Sequence, residues 1–283
     1  MRSAVTICLV PEAVRGPFVF HESLERGCQL ASKLGFDAVE VFPNGPDDPQ
    51  LERLPDLLAE HRLQLAAIGT GAGWLKHQWS LSSSDTEIRR KAIGFVEGII
   101  DRAGPLGAPA IIGSMQGRSQ PSTARDGCLE RLAEALRGLS QHAATVYQTT
   151  LLYEPLNRYE TDLFCQLTPA RRWLEENGLD CVRLLADLFH MNLEEHHPAH
   201  SILSNGSAIG HVHLADSNRQ AMGRGHTDQR AILEALRRIG YNGFLSAEVF
   251  PVPSAMVAAK QTLVAIDQWR GWPDRPAAFP DAR

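Results

Sequence analysis

A (β/α)8 barrel, an α/β fold of eight parallel strands each followed by helix, is the architecture this 283-residue sequence predicts. Three observations carry that expectation. Eight short apolar runs recur along the chain, segments with helical spacing separate them, and each of the last four runs carries an ionisable side chain at its end or two residues before it. A doubly wound sheet is the alternative arrangement of the same alternation.

The runs, in order, are "AVTICLV" (4–10), "DAVEVF" (37–42), "LQLAAIG" (63–69) and "PAIIG" (109–113), then "TLLYE" (150–154), "VRLLAD" (182–187), "IGHVHLA" (209–215) and "GFLSAEVF" (243–250). Each has the length and apolar density of a strand buried on both faces. Between them, apolar residues recur at three and four in "SLERGCQLASKLG" (23–35), "EIRRKAIGFVEGIIDRAG" (87–104), "GCLERLAEALRGLSQHAATV" (127–146), "PARRWLEENG" (169–178), "DQRAILEALRRIG" (228–240) and "SAMVAAKQTLVAIDQW" (254–269). Gly35, Gly178 and Gly240 stand where helices end, and Asp228 and Ser254 where helices start. No linker divides the chain, so residues 1–270 are expected to form one catalytic barrel. The proline-rich "GWPDRPAAFPDAR" (271–283) is expected to be an extended tail.

Composition narrows the function classes. With 43% hydrophobic and 22% charged residues, the chain reads as an ordinary globular protein. A net charge of −5 lacks the basic footprint that phosphate neutralisation requires, so nucleic acid is not an expected partner. The opening apolar stretch is too short for a signal peptide, and no run is long enough to span a membrane. The five dispersed cysteines, with no C-x-x-C spacing, read as reduced thiols in a cytoplasmic protein.

In such a barrel the chemistry sits at the strand ends, where the βα loops line one mouth. The ends of strands five to eight place Glu154, Asp187, His213 and Glu248 there. Three carboxylates crowded together repel unless a cation lies among them. Three oxygens and one imidazole suit one divalent ion, Mn²⁺ above all, with Mg²⁺, Co²⁺ or Zn²⁺ as alternatives. Open coordination positions would take the carbonyl and hydroxyl oxygens of an α-hydroxyketone, acidify the intervening C–H and stabilise an enediolate. Glu154 and Glu248 would then face opposite sides of that carbon, one removing a proton and the other returning one. Each must keep one carboxylate oxygen free of the cation to act as a base.

The segments "YEPLNRYETDLF", "LADLFHMNLEE", "HVHLADSNR" with "GRGH", and "SAEVF" resemble the xylose isomerase-like TIM-barrel sugar isomerases and epimerases, most of all the ketose 3-epimerase branch. "LAAIGTGAGWL" and "SLSSSDTEIRRKAI" extend the likeness over nearly the whole chain, the tail excepted. The resemblance implies metal ligands at Glu154, Asp187, His213 and Glu248, with Glu154 and Glu248 as the acid–base pair. It further implies substrate contacts at Glu160, His190 and Arg219, a small sugar or keto-sugar acid as substrate, and a homodimer or homotetramer. Cys165 and Met222 depart from the residues frequent in related sequences, Asn and Pro, at mouth-loop positions.

Other polar residues have plainer expectations. His211 is expected on the strand face opposite His213, packed against a helix. Glu40, at the end of strand two, could reach the site but is expected instead to pair with a neighbouring Arg or Lys, and the "EEHHPAH" cluster (His196, His197, His200) is expected to be a solvated loop. Trp74 is placed in a glycine-rich mouth loop, stacking on substrate or sealing the entrance. Arg118 is expected to be solvated, and the pattern does not choose for His226 between mouth and solvent. The same site would also serve an aldose–ketose isomerase or a dehydratase of a cyclic polyol ketone. A DNA-repair endonuclease of this fold would need further histidines, and strand three ends "AIGTGAG" without one. A non-catalytic sugar-binding barrel would not need both glutamates.

Overall fold

The computed structural model describes residues 1–119 and 124–272. Eight strands close into a parallel barrel in sequence order: β1 (Arg2–Cys8), β2 (Ala38–Phe42), β3 (Gln64–Gly69), β4 (Ala110–Ile112), β5 (Leu151–Tyr153), β6 (Val182–Asp187), β7 (Ile209–His213) and β8 (Phe244–Ala247). Closure comes from β1 against β8, with Arg2 opposite Phe244 and Val5 opposite Ala247. All eight expected strands form, and the doubly wound alternative is excluded by that closure.

The helices are α1 (Leu24–Leu34), α2 (Leu54–His61), α3 (Ala72–His77), α4 (Thr86–Ala103), α5 (Arg125–Tyr147), α6 (Leu167–Glu176), α7 (Leu188–Glu194), α8 (Pro198–Asn205), α9 (Gln229–Arg238) and α10 (Ala255–Gly271). Local chemistry sets their ends. Ser23, Asp85, Asp228 and Ser254 accept from first-turn amides of α1, α4, α9 and α10, and Gly35 takes the left-handed conformation that closes α1. Each such N-cap contributes about 1 kcal/mol. The six expected helices are all present. Four others were not foreseen. The loop expected to carry Trp74 contains α3, and the "EEHHPAH" segment, expected to be a solvated loop, instead starts α8 with Pro198 as its first residue. Proline fits there because a first-turn amide has no intrahelical partner to lose. The histidines of that segment are solvent-exposed, as expected. Of the expected tail, Gly271 ends α10, and 273–283 lie outside the described residues.

The main core lies between strands and helices, with Ile7, Val41, Ile68, Ile112, Leu184 and Val212 facing it fully buried. A small separate cluster of Ala4, Ala38, Ala66 and Phe244 packs apart from it. Ala38 and Glu40 lie two apart on β2 and so share one face of the pleat, which puts Glu40 one step above this cluster. Between β6 and β7 the register slips, so that Leu184 faces Ile209 but Leu185 faces His211. Gly210 occupies the slip; a Cβ there would lie 2.7 Å from the Arg183 side chain. This irregularity sets the height of His211 and His213 in the barrel.

Candidate active site

Asp187 serves the fold and the site with different oxygens. As the last residue of β6 it caps α7, Oδ1 accepting from the amides of Phe189 and His190 at 2.7 and 3.4 Å. Oδ2 is buried and has no hydrogen-bond partner. His213, the last residue of β7, presents Nδ1 to the same space. That nitrogen lies 3.5 Å from one oxygen each of Glu154, Asp187 and Glu248, and it too has no hydrogen-bond partner. Glu154 and Glu248 stand one residue beyond the ends of β5 and β8. One ligand atom from each of Glu154, Asp187, His213 and Glu248 falls within 4.8 Å of all the others. Buried polar atoms are normally paired. Two orphaned ones facing two further carboxylates form a donor set that a divalent cation fits.

The surroundings fix the protonation of this cluster. Glu40 is fully buried and accepts from Nε2 of His211 at 2.6 Å and Nε2 of His213 at 2.9 Å. Among the described residues no Arg or Lys pairs with it, contrary to expectation. The expectation for His211 is likewise overturned: its ring stands 5.4 Å from that of His213, on the same side of the strand. Residues two apart in a strand share a face, so the alternation places the pair together rather than opposed. Burial opposes the Glu40 charge, but the two imidazoles outweigh it and hold its pKa far below the carboxylate range. Burial also opposes a charge on His213, and the Glu40 and Glu248 carboxylates override it to raise its pKa well above the usual value. Asp187 is pushed up by burial and pulled down further by His190 and Arg219, for a net fall. For Glu154 burial wins, and its pKa is raised.

Three more side chains complete the chamber. His190 is buried, and its Nδ1 accepts from the backbone amide and side-chain amide of Asn157 at 3.2 and 2.9 Å. Its Nε2 therefore carries the proton and stands 3.6 Å from Asp187 and 3.8 Å from Glu154. Arg219 bonds to Glu248, lies 3.5 Å from Asp187 and 4.0 Å from Glu160, and stacks over Phe189. Its backbone is left-handed at φ 56°, uncommon for a residue other than glycine and a form of strain that concentrates at functional sites. A cavity of about 270 Å³ brings Glu154, Glu160, His190, Arg219 and Glu248 onto common walls. Of the remaining candidates, Trp74 and Arg118 line an adjoining cavity, and His226 is exposed and outside the chamber wall.

A family model described as "Xylose isomerase-like TIM barrel" matches residues 28–266. The chain belongs to this family. Among curated members, 3-dehydro-D-guloside 4-epimerase of Escherichia coli (strain K12) is 30% identical over 238 residues, 81% of this chain and 88% of that protein. L-ribulose 3-epimerase of Mesorhizobium japonicum is 28% identical over 264 residues, 92% and 86% of the two chains. A solved structure of L-ribulose 3-epimerase superposes with a TM-score of 0.79 at 26% identity, covering 95% of each chain. Like these family members, the protein is an enzyme of the isomerase class.

Of four residues that organise this member's site, Asn157, Gly113 and Asp216 escape the sequence reading, and Glu40 is read there as more suited to an ion pair than to the site. Glu40 and Asn157 orient His213 and His190 from behind. Gly113 leaves the space Glu154 occupies, since a Cβ there would sit 2.6 Å from Oε2. Asp216 gathers the amides of Ser217, Gly223 and Thr227 at 2.7 to 3.0 Å and so shapes the loop carrying Arg219. Two signals were present: a glutamate inside the apolar run "DAVEVF", and an aspartate directly after "HVHLA". Neither reveals its partner.

Proposed function

We infer that this protein is a divalent-metal-dependent sugar epimerase that inverts the carbon next to a ketone, in a ketose or keto-sugar acid. The observation that supports it most is the pair Glu154 and Glu248 on the wall of one chamber, each contributing a single oxygen to the four-donor cluster. The relatives' names agree in kind: they are epimerases at C3 or C4 of small sugars.

Glu154, Asp187, His213 and Glu248 would hold the cation, with Mn²⁺ suited to three oxygens and one nitrogen. When bound, the ion supplies positive charge at the ketone and hydroxyl oxygens and so acidifies the carbon between them. The chain's own groups do the rest. Arg219 provides a fixed cation against the same oxygens, where negative charge develops as the proton leaves. The Nε2 proton of His190 is held toward the chamber for a substrate oxygen. Oε2 of Glu154 lies over Gly113, on the far side from the cluster, and gives that residue a second oxygen for proton transfer. One glutamate takes the proton and the other delivers one to the opposite face, a step for which positioned acid–base groups give roughly 10²–10⁴-fold in rate. Burial raises the Glu154 pKa, which makes its carboxylate a stronger base than a solvated glutamate. The cysteines are all free, in keeping with a cytoplasmic site of action.

The test is a panel of ketoses and keto-acids with Mn²⁺ in D₂O, followed by NMR. Deuterium at the carbon beside the ketone, with the epimer accumulating, is expected. Aldose formation would instead indicate an isomerase, and an ultraviolet-absorbing enone a dehydratase. Glu248→Gln should abolish exchange; substantial residual exchange would remove Glu248 from the acid–base role.

A further inference from the structure

Outside the reaction chamber lies a cavity that the chemistry above does not use. It measures about 520 Å³, roughly twice the chamber itself. The two adjoin through a common wall of Phe18, Phe42, Gly71, Ser114 and Glu160. None of the four clustered donors lines the outer space. Trp74, Leu75, Tyr159 and Val10 give it an apolar side, and Glu12 and Arg118 give it charge. Tyr159 is 75% and Leu75 45% exposed, so two large apolar side chains of this lining stand open to water. A concave space with an apolar wall and a few polar groups, set beside a reactive chamber, has the make-up of a small-molecule site.

Size makes the same point. The chamber, at about 270 Å³, falls just below the roughly 300–1,000 Å³ typical of small-ligand pockets, room for one sugar ring. The two cavities together fall well inside that range. We propose that the substrate is a keto-sugar bearing a substituent, a second sugar ring or comparable aglycone, which sits in the outer cavity against Trp74 and Tyr159. This rests on the epimerase reading. A pyranose ring presents C–H bonds on its face and hydroxyls around its edge. The aromatic side chains cover the face, and Glu12, Arg118 and water take the edge. Contacts to such a remote group can be used to hold the reacting carbon between Glu154 and Glu248.

Kinetics on the Mn²⁺-loaded protein tests this with D-fructose against isomaltulose and lactulose, ketoses that carry a second ring on O6 and on O4 and leave the C2 ketone and C3 hydroxyl free. At least one of the two disaccharides is expected to exceed fructose in kcat/KM for exchange at C3 by about three- to tenfold, the size of one aromatic contact. Tyr159→Ala, at an exposed position that does not endanger folding, and Trp74→Ala should each bring that ratio toward one. Trp74→Phe should restore it. A lead for fructose, or a ratio that neither alanine variant moves, overturns the proposal. If no sugar exchanges deuterium, the epimerase reading fails, and calorimetry with phenyl and methyl β-D-glucoside still reads the outer cavity. Tighter binding of the phenyl glucoside, lost in Trp74→Ala, supports it; equal binding of the two overturns it.

Discussion

Two imidazoles of one strand donate to a single carboxylate, and that constrains what His213 can offer the chamber. With Nε2–H committed to Glu40, Nδ1 is the nitrogen that faces Glu154, Asp187 and Glu248, and it must give up its own proton to hold a cation. Glu40 accepts from both rings and must be ionised to do so. Gln in its place has one acceptor oxygen and an amide that donates, so one imidazole loses its partner or turns over. Partners of this kind behind a ligand typically control metal affinity by about 10–100-fold. Glu40→Gln should weaken Mn²⁺ binding by that order in calorimetry on the metal-free protein, and an unchanged Kd would show that His213 needs no orienting group. Gly113 acts on the other side of the site. The methyl of Gly113→Ala would meet Oε2 of Glu154 at 2.6 Å and push the carboxylate aside. Displacement of a reacting group by about 1 Å can cost 10²-fold, so deuterium exchange should fall by about that factor while the thermal midpoint stays near the parent's.

The connection between β7 and α9 is the element that carries Arg219, and Asp216 is its anchor. Burial raises the Asp216 pKa, and the amides and hydroxyl that surround it lower it further, for a net depression. A carboxylate depressed in the folded state contributes stability above its unfolded pKa, about 3.9, and that stability is lost as the pH falls through the folded value. Hydrogen exchange at Gly223 and Thr227, corrected for intrinsic rates, should therefore accelerate below about pH 4, before the barrel strands open. Asp216→Asn should loosen the loop already at neutral pH, because an amide has one acceptor oxygen for three N–H donors. The same scale shows what could be read in advance. The strands were legible because each is a compact apolar run, and the last four ends because an ionisable residue stands at or near the close of the run. Helices α3, α7 and α8, of six to eight residues, are too short for the apolar spacing to repeat. The Glu40–His211 contact joins residues 171 apart and depends on a register slip at Gly210. Nothing local in either segment specifies that meeting, although residues two apart in a strand share a face, which puts His211 beside His213.

For the molecule as a whole, the cluster is a burden on folding. Glu40, Glu154, Asp187 and Glu248 are all buried, with Arg219 the only guanidinium or ammonium that bonds to any of them among the described residues. Removing charges from water costs more than pairing returns unless the geometry is complete, and two orphaned polar atoms show that it is not. A cation that binds the folded chain and not the unfolded one offsets this by mass action, about 2.7 kcal/mol at a hundredfold excess over Kd. At roughly 2–4 °C per kcal/mol for a large domain, Mn²⁺ should raise the thermal midpoint of chelated protein by several degrees. Glu154→Gln separates this from a general salt effect. Its neutral amide relieves repulsion in a site where burial already disfavours the charge, so the chelated variant should melt above the chelated parent. It also removes one donor oxygen, so Mn²⁺ should raise its midpoint by less than it raises the parent's. A variant that melts lower without metal and gains as much from Mn²⁺ would mean that the carboxylates tolerate one another and that the ion binds elsewhere.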